Sequence, residues 1–308
     1  MINRAALSAA EQTEELSKAI GKLVADKPAS HTLPKSRRRA EQASMRRQPN
    51  GVMKSQVIDE LARDSHLVIA TMAIYVSGIA DVLFAAQKRN GEVNLPALSL
   101  VTRAVMEVAA VQRWLLTDEI DGIDRARRYL IWRFKDLDLQ NRLITDSQGA
   151  EEFTERILAE AEAEVLELAV RFKWNARGRS VADGKKGPAV LLPEAPNNPG
   201  SVESMPSLTE LVGAISDSYQ AISMASHGSR FGVTLGSSGS DTATGPVSLG
   251  AVAGYGLPAN VCLLEMCVAI NQSVCLYAEW KGLERSGIAT HLWTIARASR
   301  AGVDHTSE

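Results

Sequence analysis

An arginine and a glutamate stand one helical turn apart, at positions 103 and 107, in an otherwise apolar stretch of the sequence. Ser99, Arg103 and Glu107 recur every four residues, a spacing that places them on one face of a helix. Charged groups are costly on a mostly buried helix, so this pair indicates a thin solvent-facing edge, a buried structural ion pair or a binding site. In a binding site, the Arg103 guanidinium would bind a phosphate group and Glu107 would orient a base.

A histidine near the end of a later predicted helix is the second chemical candidate. His227 precedes a glycine, and Ser223 and Tyr219 lie one and two helical turns before it. A histidine at a helix C-terminus often serves only as a cap that interacts with the helix dipole. With serines and an arginine nearby as donors, it could instead act as a general acid or base. The candidate catalytic residues are therefore His227, Arg103 and Glu107, and the candidate binding residues are Ser223, Tyr219 and Arg230.

Three further arginines lie close to tryptophans. Arg113 precedes Trp114 at the end of one predicted helix. Arg125 and Arg128 share a face with Trp132 on the next helix. Aspartates nearby could pair with these arginines on a solvated surface, which is one interpretation. The other is a basic groove edged by aromatic rings, which would suit the phosphates and bases of RNA, and on that interpretation all three arginines are binding residues.

The elements that must position these residues are helices. In the long segments after residue 52, apolar side chains recur with the 3.6-residue period of an α-helix. Short connections between such segments imply antiparallel neighbours. Only the glycine- and serine-rich segment after His227 alternates, and it could form a small hairpin near 230–245. We therefore predict an all-α helical bundle of six or more helices.

The first fifty residues differ in charge from the rest of the chain. Residues 27–47 carry seven basic residues against one glutamate, whereas the formal charge of the whole chain is −2. Prolines bracket this run and few apolar residues could dock it, so residues 26–50 are predicted to be an extended arm that is either a linker or an RNA contact. The predicted division is a peripheral helix and basic linker over 1–50, and a helical bundle domain over 51–308.

The sequence argues against several classes of site and compartment. The three cysteines do not have a metal-ligand spacing, and no phosphate-binding loop or dinucleotide motif occurs, so neither a metal nor a cofactor is expected. Apolar stretches at 67–86 and 257–278 contain Asp81 and Glu265, and we interpret them as buried central helices. Without a secretory signal, the expectation is a cytoplasmic protein that has no membrane partner.

A wider set of these residues resembles a family of uncharacterised helical proteins common in actinobacteria, over roughly residues 55–285. The motifs that carry the resemblance are Arg103-Ala-Val-Met-Glu107, Arg113-Trp114-Leu115-Leu116, Arg125 and Arg128, Tyr219-x3-Ser223-x3-His227-Gly228, and Trp280. Such proteins are distantly similar to the HEPN superfamily, in which many members cleave RNA as toxins or defence effectors. HEPN ribonucleases carry an arginine four to six residues before a histidine on one helix. Here that arginine is missing before His227, and Arg103 would have to supply it.

The resemblance implies a HEPN-like homodimer that acts on RNA or a nucleotide, as a metal-independent ribonuclease of toxin or defence type. Two alternatives stay open. The same polar residues could merely hold helices in register, in a non-catalytic scaffold or ligand-binding protein. Alternatively, the proline-rich segment 175–206 could be the lid of a small-molecule enzyme.

Overall fold

The predicted all-α class is confirmed by the structure, a computed structural model. It describes residues 2–25, 33, 35–48, 51–88, 93–145, 156, 160, 163, 167, 174–177, 190–195, 198–199, 205–226, 259–284 and 286–301. The helices of this part of the chain are α1 (Ile2–Ala25), α2 (Arg37–Arg46), α3 (Gly51–Lys88), α4 (Leu95–Leu116), α5 (Gly122–Thr145), α6 (Leu208–Gly213), α7 (Tyr219–Ser226), α8 (Ala259–Lys281) and α9 (Ser286–Ala301).

Three short strands accompany the helices, in a segment where the sequence predicted a loop or lid. They are β1 (Trp174–Arg177), β2 (Val190–Ala195) and β3 (Asn198–Pro199). β2 pairs antiparallel with both, with Arg177 opposite Val190 and Glu194 opposite Pro199. The apolar run at the start of β2 favours extended backbone, which the proline count of the segment concealed. The hairpin predicted near 230–245 lies outside the described residues.

The chain divides into two compact units. Unit 1 consists of Met1–Leu33, Asp64–Leu116 and Leu208–Glu308, and unit 2 of Pro34–Arg63 and Thr117–Ser207. The boundary after Arg63 falls inside α3, whereas the boundary predicted at residue 50 lies inside unit 2. Apolar periodicity cannot locate such a division, because α3 is one continuous helix through it.

In unit 1, α4 packs against α8, α6 and α7, and α9 packs against α1 and α8. The core between these helices includes Met106, Ile270 and Trp280, which are almost completely buried. α8 ends at Gly282, whose φ of 72° is left-handed and therefore suits glycine. The amide of Leu283 then donates to the carbonyl of Ala278 at 2.7 Å, which closes the helix end. The three cysteines, Cys262, Cys267 and Cys275, are buried and reduced on α8.

In unit 2, a docked helix stands where an extended basic arm was predicted, so that prediction is wrong for residues 37–46. Ser36 caps α2 by accepting a hydrogen bond from the amide of Arg39 at 3.3 Å. Arg38 donates to Asp59 at 2.6 Å, and Arg37 donates to Glu41 at 3.2 Å. Because acids of the same unit neutralise these arginines, the run does not behave as a uniformly charged arm.

Glu41 is the centre of the contact between α2 and α5. Its carboxylate accepts from the Nε atom of Arg125 at 3.1 Å, and Arg125 is completely buried. Arg125 also donates to the carbonyls of Thr117 and Ile120, at 2.8 Å and 3.2 Å, and so fixes the turn that precedes α5. At Gly122 a Cβ atom would lie 3.0 Å from that of Glu41, so the glycine permits the two helices to approach this closely.

The expectations of no membrane partner and of a cytoplasmic location are contradicted. Three described helices are long and apolar enough to cross a membrane: Lys54–Lys88 within α3, all of α4, and all of α8. The apolar windows of these helices have mean hydropathies of 2.1, 1.3 and 1.6, respectively. A single charge such as Asp81 or Glu265 therefore does not offset the apolar character of the residues around it.

Glu41→Gln should destabilise unit 2, because it removes the carboxylate that neutralises the completely buried Arg125. Breaking a buried ion pair in this way typically costs about 3 kcal/mol. The measurement is the urea unfolding curve followed by circular dichroism. Glu14→Gln, which breaks the exposed pair of Glu14 with Lys18, is the control and should leave the midpoint unchanged. Equal midpoints for wild type and Glu41→Gln would contradict the role given to Glu41.

Candidate functional site

The predicted pair on α4 is present, and a tyrosine from α7 joins it. Arg103 donates from Nε to Oε1 of Glu107 at 2.7 Å. The hydroxyl of Tyr219 donates to the same oxygen at 2.6 Å, although the two residues are 112 positions apart. The guanidinium carbon of Arg103 lies 6.0 Å from the centre of the Tyr219 ring. We call Arg103, Glu107 and Tyr219 the Arg103 cluster.

The electrostatics of the Arg103 cluster favour a stable hydrogen bond between Tyr219 and Glu107. Tyr219 is buried, and the Arg103 and Glu107 side chains are 22% and 24% exposed. Burial raises the pKa of Tyr219 above its usual value, and the hydrogen bond to Glu107 acts in the same direction. The phenol therefore stays protonated at neutral pH and donates. Glu107 receives two donors at one oxygen, an arrangement suited to fixing α7 on α4.

Of the other candidate residues of unit 1, the structure describes Ser223 and Arg113. Ser223 is half-buried on α7, one turn after Tyr219. Arg113, near the end of α4, donates to the carbonyl of Ala214 at 2.7 Å and so fixes the chain that follows α6. His227 and Arg230 lie outside the described residues, and with them the expected contact between His227 and Arg103.

The two remaining arginines belong to unit 2, and the structure gives Arg125 a role different from the predicted one. Because it is completely buried against Glu41 and backbone carbonyls, it cannot reach an RNA phosphate while unit 2 is folded. Arg128 is half-buried one turn away from it, and Trp132 packs on Tyr129 with ring centres 6.0 Å apart. The predicted pairing with nearby aspartates missed Glu41, which is 84 positions from Arg125.

A second titratable cluster, which the sequence did not reveal, joins α3 and α8. His66 Nδ1 lies 2.9 Å from the hydroxyl of Tyr277, and Lys281 Nζ lies 3.2 Å from that hydroxyl. Tyr277 and Lys281 are completely buried. Their four-residue spacing within an apolar helix was the available signal, of the same kind as that of Arg103 and Glu107.

The described part of the chain contains no group of three His, Cys, Asp or Glu side chains placed to hold a metal ion. No protein-family model matches the sequence, and neither a curated protein nor a solved structure matches it. What the chain does must therefore be inferred from its own residues and their contacts, and the resemblance to HEPN proteins stays a prediction.

Tyr219→Phe should lower the free energy of unfolding by about 1 kcal/mol, since it deletes a hydrogen bond to a partly exposed carboxylate. Glu107→Gln should also destabilise the protein. The double variant should lose less than the sum of the two single variants, because both remove one interaction. Urea unfolding of the four proteins measures this coupling. Additive losses would show that the contact contributes nothing, and Tyr75→Phe on half-buried Tyr75 is the matched control.

Proposed function

We propose that this chain is a membrane-associated, non-catalytic helical scaffold. The observation that carries the proposal is the mismatch between the apolar character of α3 and its burial. The apolar window of α3 has the highest mean hydropathy of the three candidate helices, 2.1, yet only 39% of it is buried. A helix that is apolar on all sides normally lies in a protein core or in a membrane.

The other two helices show that packing alone does not explain α3. The windows of α4 and α8 are less apolar, at 1.3 and 1.6, but 50% and 61% buried. On α3, Leu67 and Ile74 are 59% and 69% exposed and lie two turns apart on one face. Contact with lipid would remove these side chains from water, which stabilises by about 25 cal/mol for each Å² of apolar surface.

The length of the apolar stretch indicates how α3 would meet the lipid. Between Asp64 and Asp81, sixteen consecutive residues carry no Asp, Glu, Lys or Arg. At about 1.5 Å per residue this fully uncharged part of α3 extends about 24 Å, shorter than the roughly 30 Å of a bilayer core, although the whole helix is long enough to cross one. We therefore propose that the face of Leu67 and Ile74 lies against one leaflet of the membrane.

The scaffold part of the proposal is supported by how the candidate site residues are used. Glu107 accepts from Arg103 and Tyr219, and so links α4 to α7. Arg113 and Arg125 each donate to backbone carbonyls within their own unit. These contacts hold helices in register, which is the role that the alternative interpretation of the sequence assigned to them.

Flotation with phosphatidylcholine vesicles tests the membrane proposal. Wild type should float with the vesicles. The double variant Leu67→Asp/Ile74→Asp should partition at least about tenfold less, because two apolar side chains are lost from the contact. Val52→Asp changes a 70% exposed valine at the start of α3, outside the stretch between Asp64 and Asp81, and is the control that should still float. Wild type that stays in solution, or a double variant that floats equally, would refute the proposal.

A second candidate function is the HEPN-like one: a homodimer that cleaves RNA without a metal, as a toxin or defence effector. The observation that favours it is the hydrogen bond between Tyr219 and Glu107, because α7 must pack on α4 for His227 to reach Arg103. In this mechanism His227 would exchange a proton with the ribose 2′-hydroxyl. Arg103 would stabilise charge on the phosphate, and Glu107 would orient Arg103 or His227.

Cleavage of a single-stranded RNA in the presence of EDTA tests this second function. His227→Ala and Arg103→Ala should each lower the rate at least about hundredfold, the usual contribution of an acid–base or charge-stabilising group. His291→Ala, on α9, should retain the wild-type rate. Absence of cleavage by wild type, or equal rates for all four proteins, would leave only the scaffold proposal.

A further inference from the structure

The cluster of His66, Tyr277 and Lys281 places three titratable side chains in a hydrogen-bonded row within unit 1. Lys281 and Tyr277 are completely buried, and His66 on α3 is half-buried. The Lys281 ammonium also lies 5.3 Å from the centre of the Tyr277 ring. Neither proposed function uses these groups. A buried lysine in an apolar helix is costly, so the row constrains the chemistry around it.

The chemistry of the donors limits which protonation states the row accepts. A charged lysine can only donate, so the Tyr277 oxygen accepts from Lys281. Nδ1 of His66 lies within hydrogen-bond distance of the same hydroxyl, so the row continues from the Lys281 ammonium through Tyr277 to the ring. Protonation of His66 would give the ring a positive charge and make both of its nitrogens donors. A second positive charge would then share the row with Lys281.

We propose that His66 is a pH-sensitive element of unit 1, which loses stability as the ring takes up a proton under mildly acidic conditions. The contact that this second charge would weaken joins α3 to α8, the helix at the centre of the unit 1 core. The predicted response is thus a loosening of α3 from α8. It follows from the row itself and holds whether or not α3 meets lipid.

The surroundings of His66 fix the sign of the effect. Burial lowers the pKa of His66 from its usual value, and the positive charge of Lys281 lowers it further. Tyr277 and Lys281 on α8 act on the ring, and Arg63 and Asp64 lie within one turn on α3 itself. The unfolded chain binds the proton more readily than the folded one, so stability is complete above about pH 6.5 and falls as the pH drops below it.

The first experiment compares urea unfolding at pH 7.5 and pH 5.0 for wild type, His66→Gln and His291→Gln. Glutamine keeps an acceptor for Tyr277 but cannot take up the proton. Between the two pH values, the unfolding equilibrium constant of wild type should rise at least about threefold more than that of His66→Gln. His291→Gln changes another half-buried histidine of unit 1 and should behave like wild type. Equal pH dependence in His66→Gln and wild type would overturn the proposal.

The second experiment observes the ring directly in the full-length protein. Histidine-labelled samples give one ring signal per histidine by NMR, and the signal that His66→Gln lacks is assigned to His66. It should titrate below the ordinary histidine range, about 6.5, while the protein is still folded. A ring that titrates at or above that range would show that burial and Lys281 do not resist protonation, and would also overturn the proposal.

Discussion

Burying positive charge is the constraint on which this structure depends. Arg38, Arg125 and Lys281 are 3%, 0% and 0% exposed, and a buried cation without a partner would cost several kcal/mol. Each has a polar partner on a different helix or within one turn: Asp59, Glu41 and Tyr277, respectively. These contacts set the position of α2 on its own unit and the composition of α8. Polar residues in both units are therefore organised around buried cations.

Apolar side chains are stabilised by burial, and the helices bury theirs to different extents. α8 carries polar residues and still contributes much of the unit 1 core. α3 is more apolar and less buried. Since the hydrophobic effect favours removal of apolar surface from water wherever that surface lies, a sequence with this excess indicates a contact outside the protein. The membrane proposal follows from this difference between α3 and α8 in apolar character and burial.

Sequence patterns predicted the local features of this fold, and failed for those that depend on distant residues. The 3.6-residue period gave most helices, and the four-residue spacing of Arg103 and Glu107 gave their ion pair. The partners of these residues come from far along the chain, as Tyr219 and Glu41 do. α2 was missed because its few apolar residues suggested an arm, whereas it docks through charge. To predict the docking of α2 from the sequence, one would have to know which acidic residues lie opposite it in the fold.

The three buried cysteines have a practical consequence. Cys262 lies near the start of α8, Cys267 one turn later, and Cys275 in its last third. A buried thiol reacts only when its surroundings open, because the reactive thiolate does not form in an apolar core. The three cysteines thus report on three different positions along the central helix. The order in which a reagent labels them would record which end of α8 separates first from its neighbours.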